Sequence, residues 1–592
     1  MKHSLTCVIR YGLVPLLLVA LTAVIYSNSL QCSWQFDDYR SILEFDYANA
    51  TLRSIFSFSP QRSLVFLSFW VNYLACGYSL SGWHLVNIII HALNVLLLYG
   101  IAARVLQRAL CSPPGAYVAR YTWTAAAVIA ALFAAHPLQT QAVTYIVQRL
   151  ELIGTLWVFC AVYAALRSFD AFTPFSRRGW AAGVTCALAA GALSKEIIVV
   201  APLLIALYFI LIHARTWRAR WIALFWCSAI ALVLTGLILL GFRALTFTPW
   251  PTLSFAPFTS LWREYSSATY YPQQPRVMLL FLRLCLLPYK LRVEYVLDPG
   301  SGWGDPRTLA ALSFHLLLIT GAALLWRRHP VVLFGLLWFY VFLLPSLVMP
   351  NGIFEHRAYG ALAGILLALT GLFTGQLRRL PAALRRPAAA IGLTVAACVL
   401  ISFATLTYLR NIVWSSELSL WLDTVSKSPT SWRANANAGR ALMDYGDYED
   451  ARPYLEKAFA LNSNVYLVAS NLGVLYFNLQ QYKRSAELFS YALSLKPNAP
   501  LLLYYLGAAT VRLGDFHTGT NLLHRANLPA AWTALGDVHY ERNEFRQALS
   551  CYQRTLDYRT NDLDALAGKL RTLLALTPTN VTPSHITPSH LP

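Results

Sequence analysis

Charge is scarce in this chain. Only 12% of its 592 residues are Asp, Glu, Lys or Arg, and 57% are hydrophobic, whereas a soluble domain carries about 25% charged residues. The apolar residues come in long runs, so the shortage excludes one water-soluble globule and predicts a polytopic membrane protein. Negative charge is scarcer still, with 27 acidic against 47 basic residues and a net charge of +20. That surplus is not a nucleic-acid footprint. Most basic residues of the membrane half lie in short loops between apolar runs, where they set topology, and no nucleic-acid partner is expected. The ten cysteines form no Cys-x-x-Cys pair, which disfavours a zinc or dithiol motif. Cys32 and Cys76 flank one loop and leave a disulfide there open. No Gly-rich phosphate loop occurs, so nucleotide chemistry is disfavoured. Nor is a cleavable signal peptide read: residues 11–30 are apolar, end in YSNSL and look like a retained first span.

What is present is an all-α pattern in two parts. Candidate spans are roughly 11–30, 83–103, 121–137, 143–166, 179–194, 196–213, 221–242, 308–326, 331–350, 357–377 and 388–408. Arginines recur in alternate short loops: Arg104, Arg108 and Arg120; Arg167, Arg177 and Arg178; Arg215, Arg218 and Arg220; Arg327 and Arg328; Arg378, Arg379, Arg385 and Arg386. The positive-inside rule assigns these loops, and the N-terminus with Lys2 and Arg10, to the cytoplasm. The rule holds only if the short run 277–289, which contains Arg283 and Pro288, is re-entrant or interfacial. About eleven crossings follow, over a membrane domain 1–410 with outer loops 31–82 and 243–307. The chain after 410 is then periplasmic, or lumenal in a eukaryote, and the expected location is a bacterial inner membrane.

Beyond 410 the composition turns charged, Tyr-rich and periodic. Gly439, Gly473 and Gly507 are 34 residues apart, and Gly536 follows 29 later. A 34-residue helix–turn–helix period with small and aromatic positions at fixed offsets resembles the tetratricopeptide repeat. The domain is expected over 411–576, with 563–576 as its cap and a disordered tail at 577–592. Such solenoids present a concave surface for peptides or partner proteins, so chemistry belongs to the membrane half.

Several polar groups sit where lipid penalises them. His84, Asn87, His91 and Asn94 fall on one helix face. Hydrogen bonding to neighbouring helices explains them better than catalysis or metal binding. Charges recur at the outer turns: Asp37 and Asp38, Arg62, His136 with Arg149 and Glu151, Lys195 with Glu196, and Glu355, His356, Arg357 and Tyr359. Any one of these fits a snorkelling helix end. Together they suit transfer from a lipid-linked phosphate, in which cations hold the leaving group and a carboxylate takes a hydroxyl proton.

The blocks FDDYRSI, RSLVFLSFWVNYLACGYSLSGWHLVNIIIHALNVLLLY, HPLQTQAVTYIVQRLELI, LSKE and EHRAYG run in the order found in GT-C type membrane glycosyltransferases. The chain most resembles the transmembrane-and-tetratricopeptide-repeat O-mannosyltransferases and their bacterial relatives. The resemblance implies a polyprenyl-phosphate sugar donor, inverting transfer on the outer face, and Ser/Thr hydroxyls of exported proteins as acceptors. It makes Asp37 the general base. Asp38 orients a substrate or holds a divalent metal, and Asp-Asp stands here where protein O-mannosyltransferases more generally have Asp-Glu. Arg62, Arg149 and Arg357 become candidates for the donor phosphate, within a substrate site that also takes in His84, Glu151, Lys195, Glu196, Glu355, His356 and Tyr359. The alternatives are a glycosyltransferase of the same fold acting on an envelope glycan or lipid, and a membrane-anchored repeat scaffold without activity.

Overall fold

A computed structural model describes residues 9–110, 116–214, 216–246, 270–298, 300–348 and 352–577. The tail from 578 on, and 247–269 of the outer loop 243–307, lie outside the described residues. The chain divides into two compact units, Met1–Asp423 and Thr424–Pro592.

Apart from the outer-loop helices Leu52–Phe58 and Ser63–Cys76, the first unit includes α1 (Val14–Ile25), α2 (Leu80–Leu110), α3 (Ala116–Ala135), α4 (Arg149–Phe169), α5 (Pro174–Ala192) and α6 (Val200–Tyr208). After them come α7 (Trp217–Thr246), α8 (Tyr270–Leu286), α9 (Pro306–Leu324), α10 (Pro330–Val348), α11 (Ala361–Arg379) and α12 (Ala382–Val413). Each expected span falls on one of these helices. Among the described residues, eight helices are long and apolar enough to cross a membrane, or nine if α3 and the segment bending away from it by 51° form one span. The run expected to be re-entrant lies in α8, which has 17 residues with Pro275 inside it. Where α10 and α11 cross, glycines replace side chains. A Cβ on Gly335 would strike the Gly364 carbonyl and come within 2.6 Å of the Ala368 amide. Close backbone approach of this kind is how helices associate in lipid, where no hydrophobic drive holds them together.

Between α3 and α4 the chain leaves regular α-helix, passing through the 3₁₀ turns Pro137–Gln139 and Ile146–Gln148. Every residue from Phe133 to Thr155 is nevertheless buried. Non-helical backbone at that depth needs partners for its polar groups, and the polar face of α2 supplies them. Asn87 Nδ2 donates to the carbonyls of Val143 and Ile146 at 3.2 Å each, and Asn94 Nδ2 to that of Leu152 at 3.0 Å. His91 bonds the Ala134 carbonyl and, at 2.7 Å, the Tyr359 hydroxyl. His84 bonds the Cys32 carbonyl at 2.9 Å.

The first unit runs to Asp423 because residues after α12 fold back within it. Arg410 pairs with Asp423 at 2.6 Å, and the Asn411 amide Oδ1 accepts from Thr144.

The second unit is four helix pairs and a capping helix, Leu563–Leu576. Gly439, Gly473, Gly507 and Gly536 each lie against the partner helix of their own repeat, facing Leu455, Phe489, Leu523 and Tyr552. The turn inside each pair needs one positive φ, met by Gly446 (85°), Gln480 (59°), Gly514 (92°) and Asn543 (60°). The shorter final interval has a local cause. The helix Phe516–Ala526 has 11 residues where its counterpart Tyr482–Leu495 has 14, and it stops at the left-handed Asn527 before Pro529.

Candidate functional site

The acid pair sits in the first outer loop, and its two members differ. Asp38 is fully buried, and both its oxygens are engaged: Oδ2 accepts from the Gln35 amide at 2.9 Å and Oδ1 from the Val147 amide at 2.7 Å. It thereby ties the loop to the broken segment before α4. Burial pushes its carboxyl up to about 8, against those two amides and Arg149. Asp37 is exposed, and its amide donates to the Tyr145 hydroxyl at 2.9 Å.

The backbone just before the pair is unusual. Phe36 has φ 40°, a left-handed conformation that costs a bulky L-residue about 1–2 kcal/mol. Aromatic neighbours hold it there. Its ring meets Tyr145 at 5.4 Å, Trp421 at 4.8 Å and Trp414 at 6.4 Å, and Tyr145 stacks on Trp414. Tyr145, Trp414 and Trp421 escaped the sequence reading. Their only signal there was aromatic residues beside charged blocks.

A second group gathers cations. Lys195 pairs with the buried Glu151 at 2.5 Å, and Arg62 faces Glu196 at 3.8 Å. Gly154 permits the first contact, since a Cβ there would come within 3.0 Å of the Lys195 Cβ. Glu151 Oε1 has no hydrogen-bond partner. Arg357 lies close enough to interact with Glu151, Glu196 and Tyr270. His356 stands beside Lys195 and Arg357, and burial, reinforced by those cations, holds its imidazole well below the usual value and therefore neutral. Its amide donates to Gln141 Oε1 at 2.9 Å, a residue that sequence reasoning also missed. Arg62, Glu151, Lys195, Glu196, His356 and Arg357 thus come together. Along the chain the two groups meet at one stretch: Asp38 is bonded to Val147, and Glu151 lies about one helical turn, ~6 Å, further on.

The remaining expected residues are committed to the protein's own framework. Arg149 is fully buried between the Phe69 and Trp83 rings. Its guanidinium donates to Asn87 Oδ1 (2.8 Å), Asn72 Oδ1 (2.7 Å) and the carbonyls of Trp83 (3.0 Å) and Ser68 (3.2 Å). Glu355, fully buried, accepts from the Arg292 amide at 2.6 Å and the Tyr295 hydroxyl at 2.7 Å. Tyr359 and His84 belong to the α2 network, and His136 bonds the Cys285 carbonyl at 3.1 Å. Cys32 and Cys76 are free thiols, each donating instead to a carbonyl, of Asn411 and Asn72 respectively. The donor set does not fit a metal. Both Asp38 oxygens are taken by amides, and among the described residues no three His, Cys, Asp or Glu side chains converge.

Residues 437–500 match the tetratricopeptide repeat family. The chain resembles the transmembrane-and-tetratricopeptide-repeat O-mannosyltransferases. It is 26% identical over 578 residues to Protein O-mannosyl-transferase Tmtc3 of Drosophila melanogaster, covering 84% of this chain and 61% of that protein. It is 24% identical over 470 residues to Protein O-mannosyl-transferase F38B6.6 of Caenorhabditis elegans, covering 76% and 62%. The chain therefore spans about three fifths of the length of these curated relatives. Among solved structures, the repeat protein YrrB aligns at 21% identity, over 26% of this chain and 82% of that one, with a TM-score of 0.22.

Proposed function

We propose that this chain is a membrane glycosyltransferase that moves a sugar from a polyprenyl-phosphate carrier to Ser or Thr hydroxyls of exported proteins at the outer membrane face. The observation that carries the reading is the contrast within the acid pair: Asp37 is an exposed carboxylate, set beside a buried Asp38 whose two oxygens are both engaged. The relatives' names support the protein acceptor and mannose as the sugar. In this reading Asp37 takes the acceptor's proton as its oxygen attacks the anomeric carbon and the bond from that carbon to the phosphate oxygen breaks. Arg62, Lys195 and Arg357 hold the departing phosphate, whose charge they offset. Asp38 and Tyr145 position Asp37. The repeat unit recruits the acceptor polypeptide, as a solenoid surface does.

The test is transfer of labelled sugar by purified protein to an acceptor peptide. Asp37→Asn keeps size and polarity but removes the base, so turnover should fall about 10²–10⁴-fold with little change in melting. Near-normal turnover would remove Asp37 from the reaction. Arg357→Lys keeps the charge but loses the planar fork, and should weaken donor binding.

A further inference from the structure

A cavity of about 270 Å³ lies at the far end of the bundle from Asp37 and Asp38. It is walled by Leu110 at the end of α2, Tyr121 and Thr122 on α3, Thr374 and Arg378 near the end of α11, and Arg385 at the start of α12. Among the described residues, no acidic one lines it.

Three observations define what it could take. The first is charge. Two guanidinium groups share one small cavity, and neither pairs with a carboxylate among the described residues. Two cations lining one cavity favour an anion between them. The second is preorganisation. Arg385 is not a loose surface chain: its Nε donates to the Leu380 carbonyl at 2.9 Å and its second terminal nitrogen to the Arg378 carbonyl at 3.1 Å. That holds the guanidinium against the linker while its three remaining N–H donors stay available. The third is depth. Helix α2 rises about 39 Å between His84, which bonds the outer loop, and Leu110, close to the ~40–45 Å between the two headgroup regions of a bilayer. The cavity therefore sits at headgroup level on the opposite face, beside a linker that also carries Arg379 and Arg386. Basic pockets between spanning helices at that level suit anionic headgroups, and planar guanidinium groups suit phosphate oxygens.

We propose that this cavity is a phosphate-binding site for an anionic lipid headgroup, distinct from the site around Asp37. The room available, about nine waters at ~30 Å³ each, holds a phosphate and its first ester linkages, while the acyl chains stay in the membrane.

The experiment uses the full chain in nanodiscs of phosphatidylcholine with a minor fraction of phosphatidylglycerol. Native mass spectrometry counts retained lipid for wild type, Arg378→Gln and Arg378→Gln/Arg385→Gln. Retained phosphatidylglycerol should fall about fivefold for each guanidinium removed, with phosphatidylcholine unchanged. Arg378 makes no side-chain bond that holds the linker, so the single variant tests binding even if the double one is destabilised. A parallel titration adds inorganic phosphate. If it displaces the lipid, the site recognises phosphate as such; if it binds where lipid does not, the same two arginines hold free phosphate instead. Equal retention of phosphatidylglycerol by wild type and Arg378→Gln, with no phosphate binding to either, would overturn the proposal.

Discussion

Glycine brings helices together in both units, but against different atoms. In the membrane unit, Gly335 and Gly364 meet each other's backbone first; in the repeats, Gly439, Gly473, Gly507 and Gly536 each meet first a side chain of the paired helix, with backbone also close at Gly439 and Gly507. The solvent explains the difference. Water drives apolar side chains into the repeat seam, so each glycine makes room for a Leu, Phe or Tyr. Lipid supplies no such drive, so the bundle relies on backbone contact and on buried polar bonds, with Arg149 and the α2 face as the nodes.

The largest expected effect breaks the polar side of that contrast. Arg149→Lys replaces four directed donors with one ammonium and leaves buried acceptors unmatched. At about 1–3 kcal/mol for each buried group left unsatisfied, the purified protein should lose several degrees of melting temperature or fail to assemble. Next comes the glycine comparison itself. Gly335→Ala forces backbone apart and should cost about 2–3 kcal/mol. Gly473→Ala meets only the Phe489 ring edge at 3.0 Å and should cost about 1 kcal/mol or less. Equal losses in the two units, read by thermal unfolding, would erase the distinction.

Asp38→Asn sharpens it, because an amide presents an N–H to one of the two amides that Asp38 now accepts from, a loss of about 1–3 kcal/mol. Its pH signature has a definite sign. The folded carboxyl titrates at about 8, above its ordinary 3.8, so the folded state holds a proton that the unfolded chain has released. Wild-type stability should therefore decline as pH rises from about 4 to 8, and Asp38→Asn should remove that slope. Melting temperature against pH for the two proteins reads it directly. The smallest effect is a gain. Gln480 occupies the turn position that Gly446 and Gly514 fill elsewhere, so Gln480→Gly should stabilise the repeats by roughly 0.5–1 kcal/mol.

The repeats were legible because their pattern is local: each glycine finds its partner helix within the same repeat. The positions of the spanning helices were legible for a similar reason, as was the fact that His84, Asn87, His91 and Asn94 share a face. What a residue of the site does was far less readable. Arg149 and Arg357 look alike as cations at outer turns. They differ because Asn87 and Asn72, 62 and 77 residues upstream, claim the first, and no spacing rule reaches that far. The two aspartates are adjacent in the chain, yet the amides of Gln35 and Val147 hold only Asp38 inward, after a left-handed turn at Phe36. That turn rests on Trp414 and Trp421, which a boundary drawn at 410 would have assigned to the repeats.

The bonding of α2 also has a consequence in time. During synthesis this helix emerges well before the partners of Asn87, His91 and Asn94, and Tyr359, which joins both His91 and Asn94, lies 268 residues after His91. At roughly 5–20 residues per second, the wait is on the order of 10–50 s. The helix can enter the bilayer alone because an 18-residue stretch of it has a mean hydropathy of 2.1 despite the polar face. During that interval Asn87, His91 and Asn94 wait unmatched, and later segments close them one after another. Closure of this face is thus ordered by the ribosome, and it completes only when the EHRAYG turn arrives.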